Sequence, residues 1–260
     1  MTCVHTLASG SSGNALVISH NGRHFLLDAG ISCRRITVGL GELGLRLDDL
    51  SGILITHTHS DHISGLQTLV KHCDTPIFAS ERTVRELNHR LAGLEERLHP
   101  VDGQFTVDGC EAEAFPTAHD APGSCGFRVE DAGVLTDSGY VPEAAETVLS
   151  GVSLLILEAN HDVDTLRGGG YPYFLKERIL GSEGHLSNAA AGEFAANMAR
   201  FGTREIVLAH LSRENNTPQL AYDTVAACLQ RSRCAVRLAV APRDSLSPCY
   251  GAREAVSCKK

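Results

Sequence analysis

The sequence predicts a layered α/β fold with two internal sheets. Short apolar runs recur along the 260 residues, separated by polar or glycine-rich loops. A strand-rich first half with two helices is followed by a half in which strands alternate with longer helices, so the sheets have helices to cover them. Hydrophobic residues make up 43% and charged residues 21%, the composition of a globular chain with ample material for a core. No low-complexity linker or exact repeat interrupts the chain, and residues 1–260 read as a single domain.

In chain order, 4–7 and 15–18 read as strands, joined by a small-residue loop. A further strand, 24–27, ends at Asp28-Ala29-Gly30, and 32–43 is helix-like. Residues 52–55 form a buried strand running toward His57. Helices are expected at 63–73 and 80–94, then strands near 104–108, 111–116, 125–130 and 133–136. In the second half, 154–157 and 206–208 read as buried strands, 187–200 and 218–231 as helices, and 236–240 as a last strand.

Charge and cysteine content narrow the function classes. Twenty-three basic against 31 acidic side chains leave a net −8. That excludes a general basic coat for nucleic acid but leaves room for a local basic groove. With no Trp and 5% aromatic residues, an aromatic-rich platform for single strands is not expected. The nine cysteines include no CxxC pair, so they read as reduced thiols without a thiolate metal site, and the expected compartment is the cytoplasm. Residues 1–10 lack the layout of a secretory signal, and no apolar run is long enough to span a membrane.

The chemistry is concentrated in Thr56-His57-Thr58-His59-Ser60-Asp61-His62, an HxHxDH run between a buried strand and a helical stretch. Three imidazoles and a carboxylate so close together are nitrogen and oxygen donors suited to zinc, manganese or iron. His57 and His59 alternate, so an extended backbone points them the same way, whereas Asp61 and His62 follow the bend and can face a second ion. Further donors stand at the ends of other apolar runs: His119, Asp137 and His210. Alone, each would be an ordinary polar residue; with the HxHxDH run they make a ligand set.

In order and spacing, His57, His59, Asp61, His62, His119, Asp137 and His210 resemble the metallo-β-lactamase superfamily over nearly the whole chain. The resemblance implies a four-layer αββα sandwich with two metals at one edge. One ion would take His57, His59 and His119, the other Asp61, His62 and His210, with Asp137 bridging. The bridging acid is Asp where true β-lactamases have Cys, which argues against antibiotic hydrolysis. Two divalent cations about 3.5–4 Å apart can activate a shared water and neutralise charge on phosphate oxygens.

Other stretches bear on the substrate. Ser9-Gly10-Ser11-Ser12-Gly13-Asn14 reads either as a donor loop, offering Ser11, Ser12 and Asn14, or as a flexible hairpin. Tyr171 and Tyr173 could stack on a base, and Lys176 and Arg178 could meet phosphates, although an ordinary surface helix explains the same side chains. His185 precedes Ser187 and Asn188 at the start of a helix, a natural anion site. Arg213, Asn215 and Asn216 read either as phosphate holders or as a polar loop before the next helix.

Glu158 and His185 match the acid–histidine pair that protonates the leaving oxygen in the tRNA 3′-processing nucleases of the superfamily. His161 receives no role. SGSSGN, HTHSDH, EANHD, YPYFLKERI, GHLSN and LAHLSRENNTPQLA together look like the YycJ/WalJ family. That resemblance implies a manganese-supported 5′→3′ exonuclease acting on the 5′ end of DNA, with a mismatch-repair role; for such a reaction Asp61 is expected to orient the attacking water, and Glu158 with His185 to supply the proton. The chain lacks the inserted domain of the ribonuclease J group and a flexible arm for tRNA. The rival readings are a small-molecule hydrolase on the same cage (a cyclic phosphodiesterase or thioesterase), an RNA-processing nuclease, and a non-catalytic metal-binding regulator. The sequence carries no statement of oligomeric state.

Overall fold

The computed structural model describes residues 1–91, 93–233 and 235–251. Two seven-stranded sheets face each other. The first contains β1 (Thr2–Ala8), β2 (Ala15–His20), β3 (Arg23–Leu27), β4 (Leu50–Ile55), β5 (Ile77–Ala79) and β6 (Leu98–Pro100). The second contains β7 (Gly103–Val107), β8 (Cys110–Pro116), β9 (Cys125–Val129), β10 (Ala132–Leu135), β11 (Leu154–Glu158), β12 (Glu205–Ala209) and β13 (Arg237–Val240). The chain then returns to the first sheet as β14 (Tyr250–Gly251), beside β1. Each sheet is mixed: β1 to β3 and β7 to β10 pair antiparallel, whereas β3 to β6 and β10 to β13 pair parallel.

Side-chain alternation builds the layers. In β4, Leu54 points between the sheets, while Ile53 and Ile55 point outward against Ile36, Leu40, Leu66 and Leu69 of the first helical layer. In β11, Leu154 and Ile156 face the inter-sheet core, while Leu155 and Leu157 face Leu149, Phe194, Met198 and Val225 of the second. Strands buried on both faces read as unbroken apolar runs, which is why 52–55 and 154–157 stand out in the sequence. The arrangement is the αββα sandwich.

Two expectations need correction. The single helix expected at 63–73 is two short ones, Ser60–Ile63 and Leu66–Leu69. The chain between them is drawn against the loop after β3: Gly65 N–H donates to Ala29 O at 2.8 Å, and a Cβ at Gly65 would lie 1.9 Å from Ile31 O. The cysteines are not all free thiols. Cys3 and Cys249 are joined in a disulfide, their Cα atoms 5.9 Å apart across the β1–β14 edge, within bonding reach. Cys33, Cys73, Cys110, Cys125 and Cys228 are free and buried, and Cys234 and Cys258 lie outside the described residues. Among the described residues, no helix is long and apolar enough to cross a membrane.

Candidate metal centre

The loops that follow β3, β4, β8, β10, β11 and β12 meet at one end of the sandwich. Ser60–Ile63 turns immediately after β4, so the HxHxDH run wraps the strand end: His57 and His62 are sealed from solvent and His59 stands at the opening. His119 follows β8, Asp137 follows β10 and His210 follows β12. Asp28, Asp137 and His210 all take left-handed backbone, with φ of 60°, 57° and 55°. Such a conformation costs a non-glycine residue of the order of 1 kcal/mol and persists where the surroundings fix it, as at functional sites.

The structure brings the seven expected ligand residues together. Donor atoms of His57, His59 and His119 lie within 4.8 Å of one another, as do those of Asp61, His62 and His210, and those of His57, His62 and Asp137. Asp137 lies between the groups, with carboxylate oxygens 3.3 Å from His62 Nε2, 3.4 Å from His210 Nδ1 and 3.8 Å from His119 Nε2. Asp61 Oδ2 is 3.5 Å from both His62 Nε2 and His210 Nε2.

The imidazoles are held from behind. His57 Nδ1 lies 3.1 Å from Thr56 Oγ1, His62 Nδ1 2.6 Å from Asp28 Oδ2, His119 Nδ1 3.1 Å from Gly184 O, and His210 Nδ1 2.8 Å from Glu158 Oε1. Each of these rings therefore turns Nε2 toward the cluster, the arrangement outer hydrogen bonds give to ligating histidines. Buried His57 Nε2, His210 Nε2 and Asp137 Oδ2 form no hydrogen bond in the described structure. Buried polar atoms are ordinarily partnered, so these three aimed into one cleft fit a divalent cation. Burial, followed by the neighbouring His62, holds His57 well below the usual histidine range, keeping it neutral. Burial works to raise the Asp137 carboxyl, but neighbouring His210 and His62 outweigh it and keep it ionised.

Asp28 was not among the expected site residues. Its carboxylate accepts from Thr56 N–H at 2.9 Å and from Thr56 Oγ1, as well as holding His62. Its only sequence signal is an acid at a strand end, the signal Asp137 also carries.

Glu158 ends β11 sealed from solvent, and both of its oxygens are occupied. Oε1 lies 2.8 Å from Nδ1 of both His185 and His210, and Oε2 accepts from Ser138 N–H at 3.1 Å and Leu186 N–H at 3.0 Å. Burial works to raise this carboxyl, but His185 and the hydrogen bonds outweigh it and lower it to about 2. His185 is the more open partner, with its side chain 20% exposed. His161 is buried nearby, its Nδ1 unbonded, and burial lowers it to about 4.

The expected substrate-binding residues divide. Asn14 reaches the cluster: its Nδ2 lies 3.2 Å from His62 Nε2 and 3.3 Å from Asp61 O. Ser11 and Ser12 are exposed at the tip of that loop. Arg178 pairs with Asp120, whose other oxygen lies 3.7 Å from His59 Nε2 and 3.5 Å from His119 Nε2, so its guanidinium stands at the rim. Arg213 is exposed, 3.9 Å from Asp244. The others turn to internal duties. Lys176 Nζ donates to Arg167 O and Gly169 O, and Ser187 Oγ caps the helix Asn188–Arg200. Asn188 exchanges hydrogen bonds with buried Asn216, and Asn215 is buried against Ser212.

An αββα sandwich carrying a buried His/Asp cluster at one end of its sheets has the build of a metal-dependent hydrolase. The family described as Beta-lactamase superfamily domain matches residues 23–211, and the chain belongs to it. It is 36% identical over 231 residues to Exodeoxyribonuclease YycJ of Bacillus anthracis, covering 86% of this chain and 88% of that one. Exodeoxyribonuclease WalJ of Streptococcus pneumoniae is likewise 36% identical, over 84% of this chain and 85% of its own. Among solved structures, the metallo-beta-lactamase fold protein YhfI from Bacillus subtilis superposes with a TM-score of 0.70 at 15% identity, covering 95% of this chain and 100% of that one.

Proposed function

We propose that the protein is a 5′→3′ exodeoxyribonuclease working in the cytoplasm on two divalent cations. Manganese or zinc is the first choice, and iron also suits the donors. His57, His59 and His119 would hold one ion, Asp61, His62 and His210 the other, with Asp137 between. The observation that carries the reading is the set of buried atoms that make no hydrogen bond, His57 Nε2, His210 Nε2 and Asp137 Oδ2, within the same His/Asp cluster. The DNA substrate comes from the similarity to YycJ and WalJ, each matched over most of its length. Mismatch repair is the pathway this activity would serve.

The bound ions supply an activated water and offset negative charge on the phosphate. The protein's own groups do the rest. Asp61 lies at the open side of the cleft and orients the attacking water through its carboxylate. Glu158 accepts from His185 Nδ1, which fixes the ring and leaves Nε2 to give a proton to the departing sugar oxygen. Because Glu158 also holds His210, one carboxylate keeps the proton donor in register with the cage. Asn14 ties the loop between β1 and β2 to the HxHxDH backbone; Ser11 and Ser12 on that loop, Arg178 at the rim and exposed Arg213 would meet the phosphates.

The test is digestion of 5′-phosphorylated and 5′-hydroxyl DNA and RNA oligomers under manganese, with product lengths resolved over time. The expected result is stepwise loss of nucleotides from the 5′ end of DNA. Inert DNA, or shortening from the 3′ end, would overturn the reading.

A further inference from the structure

Away from the His/Asp cluster, β14 runs antiparallel to β1, with Cys3 opposite Gly251 and Val4 opposite Tyr250. Cys3 and His5 stand two residues apart on one face of β1, the face opposite buried Val4. Cys249 comes onto the same face from the residue before β14. Ligand atoms of Cys3, His5 and Cys249 lie within 4.8 Å of one another, and all three residues are half-buried.

The histidine sets this apart from a plain cysteine pair. His5 Nε2 lies 3.4 Å from Cys3 Sγ, and His5 Nδ1 lies 3.1 Å from the backbone oxygen of Ser247. A carbonyl oxygen can only accept, so Nδ1 carries the proton and Nε2 turns its lone pair toward the sulfurs. An imidazole fixed from behind by a backbone carbonyl, with its free nitrogen on two cysteines, is set up as a metal ligand. Two sulfurs and one nitrogen form a softer donor set than the imidazoles and carboxylates of the cage, suited to zinc rather than manganese.

We propose that in the reduced protein Cys3, His5 and Cys249 form a zinc site that fastens β14 to β1, its fourth position open to solvent. The disulfide is the oxidised form of the same pair. A phosphine reductant converts one to the other: the S–S bond breaks, the phosphine takes the oxygen of one water to become its oxide, and each sulfur ends as a thiol. Inside a cell the thiol form is the favoured one.

Cobalt(II) is the probe, because cysteine ligation gives a sulfur-to-cobalt charge-transfer absorption that histidine and carboxylate ligands do not. The full-length protein is reduced with phosphine, desalted without air and titrated with cobalt. The wild type is expected to develop the band. Cys3→Ser and Cys249→Ser are expected to lose it, and His5→Gln, which keeps both thiols, to need about tenfold more cobalt or more. Both serine variants should keep the manganese-dependent hydrolysis of the wild type, which separates loss of the site from loss of the fold. A reduced wild type without the band, or a band equally strong in Cys3→Ser, would overturn the proposal. The absorption readout stands whether or not the chain proves to be a nuclease.

Discussion

Asp28 Oδ2 lies 2.6 Å from His62 Nδ1, and both side chains are 1% exposed. The carboxylate accepts from the ring as well as from Thr56, which holds a proton on Nδ1 and directs Nε2 into the cluster. Asp28→Asn would put an amide N–H opposite Nδ1 and favour the other tautomer, moving the ring proton to Nε2. Manganese affinity is expected to fall about 10- to 100-fold. Calorimetric titration checks this, and unchanged affinity would remove Asp28 from the metal site.

Asp61→Ala and His62→Ala each delete a ligand from the same half of the cage. Both variants are expected to lose hydrolysis altogether while keeping the wild-type circular dichroism spectrum. Normal turnover by either, with manganese present, would rule out the two-ion mechanism.

His185 and Glu158 make a sharper test, because a proton donor matters most when the leaving group is poor. His185→Ala is expected to slow DNA cleavage by about 10²- to 10⁴-fold. Hydrolysis of an activated aryl phosphodiester, whose leaving group needs no proton, is expected to fall far less. Equal losses on the two substrates would take His185 out of the acid role.

Asp131 provides a probe far from the cleft. It accepts from Ser153 Oγ at 2.6 Å, between β10 and the loop before β11. Partial burial works to raise its carboxyl, but the hydrogen bond from Ser153 leads the effects that outweigh it and hold the group below the ordinary aspartate value. A depressed folded-state pKa adds stability that is complete above the unfolded value of about 3.9 and fades as pH drops through the folded one. Asp131→Asn is therefore expected to cost about 0.5–1 kcal/mol at neutral pH, a modest figure because the group is partly exposed. Urea unfolding at two pH values checks it: the gap between variant and wild type should close in acid, and a gap that widened there would contradict the assignment.

Much of the site was legible because its residues obey local rules. His57, His59, Asp61 and His62 fall within one short run, and His119, Asp137 and His210 each stand just beyond an apolar strand. The central strands were legible for the same reason: burial on both faces leaves unbroken apolar runs. Three-residue strands such as β5 and β6 carry too few alternations to register as a period. Asp28 was hidden because one acid after one strand has no spacing to set it apart, and its partner lies 34 residues away. Lys176, Asn188 and Asn215 have the chemistry of phosphate ligands, and only tertiary packing turns them onto carbonyls, Asn216 and Ser212. Cys3 and Cys249, 246 residues apart, could not be paired from spacing at all.

Anomalous diffraction from crystals soaked in manganese would decide the matter most directly. Two peaks are predicted at the end of the sandwich, one among His57, His59 and His119 and one among Asp61, His62 and His210, with the Asp137 carboxylate between them. A single peak, or none within reach of these side chains, would contradict a pair of catalytic ions.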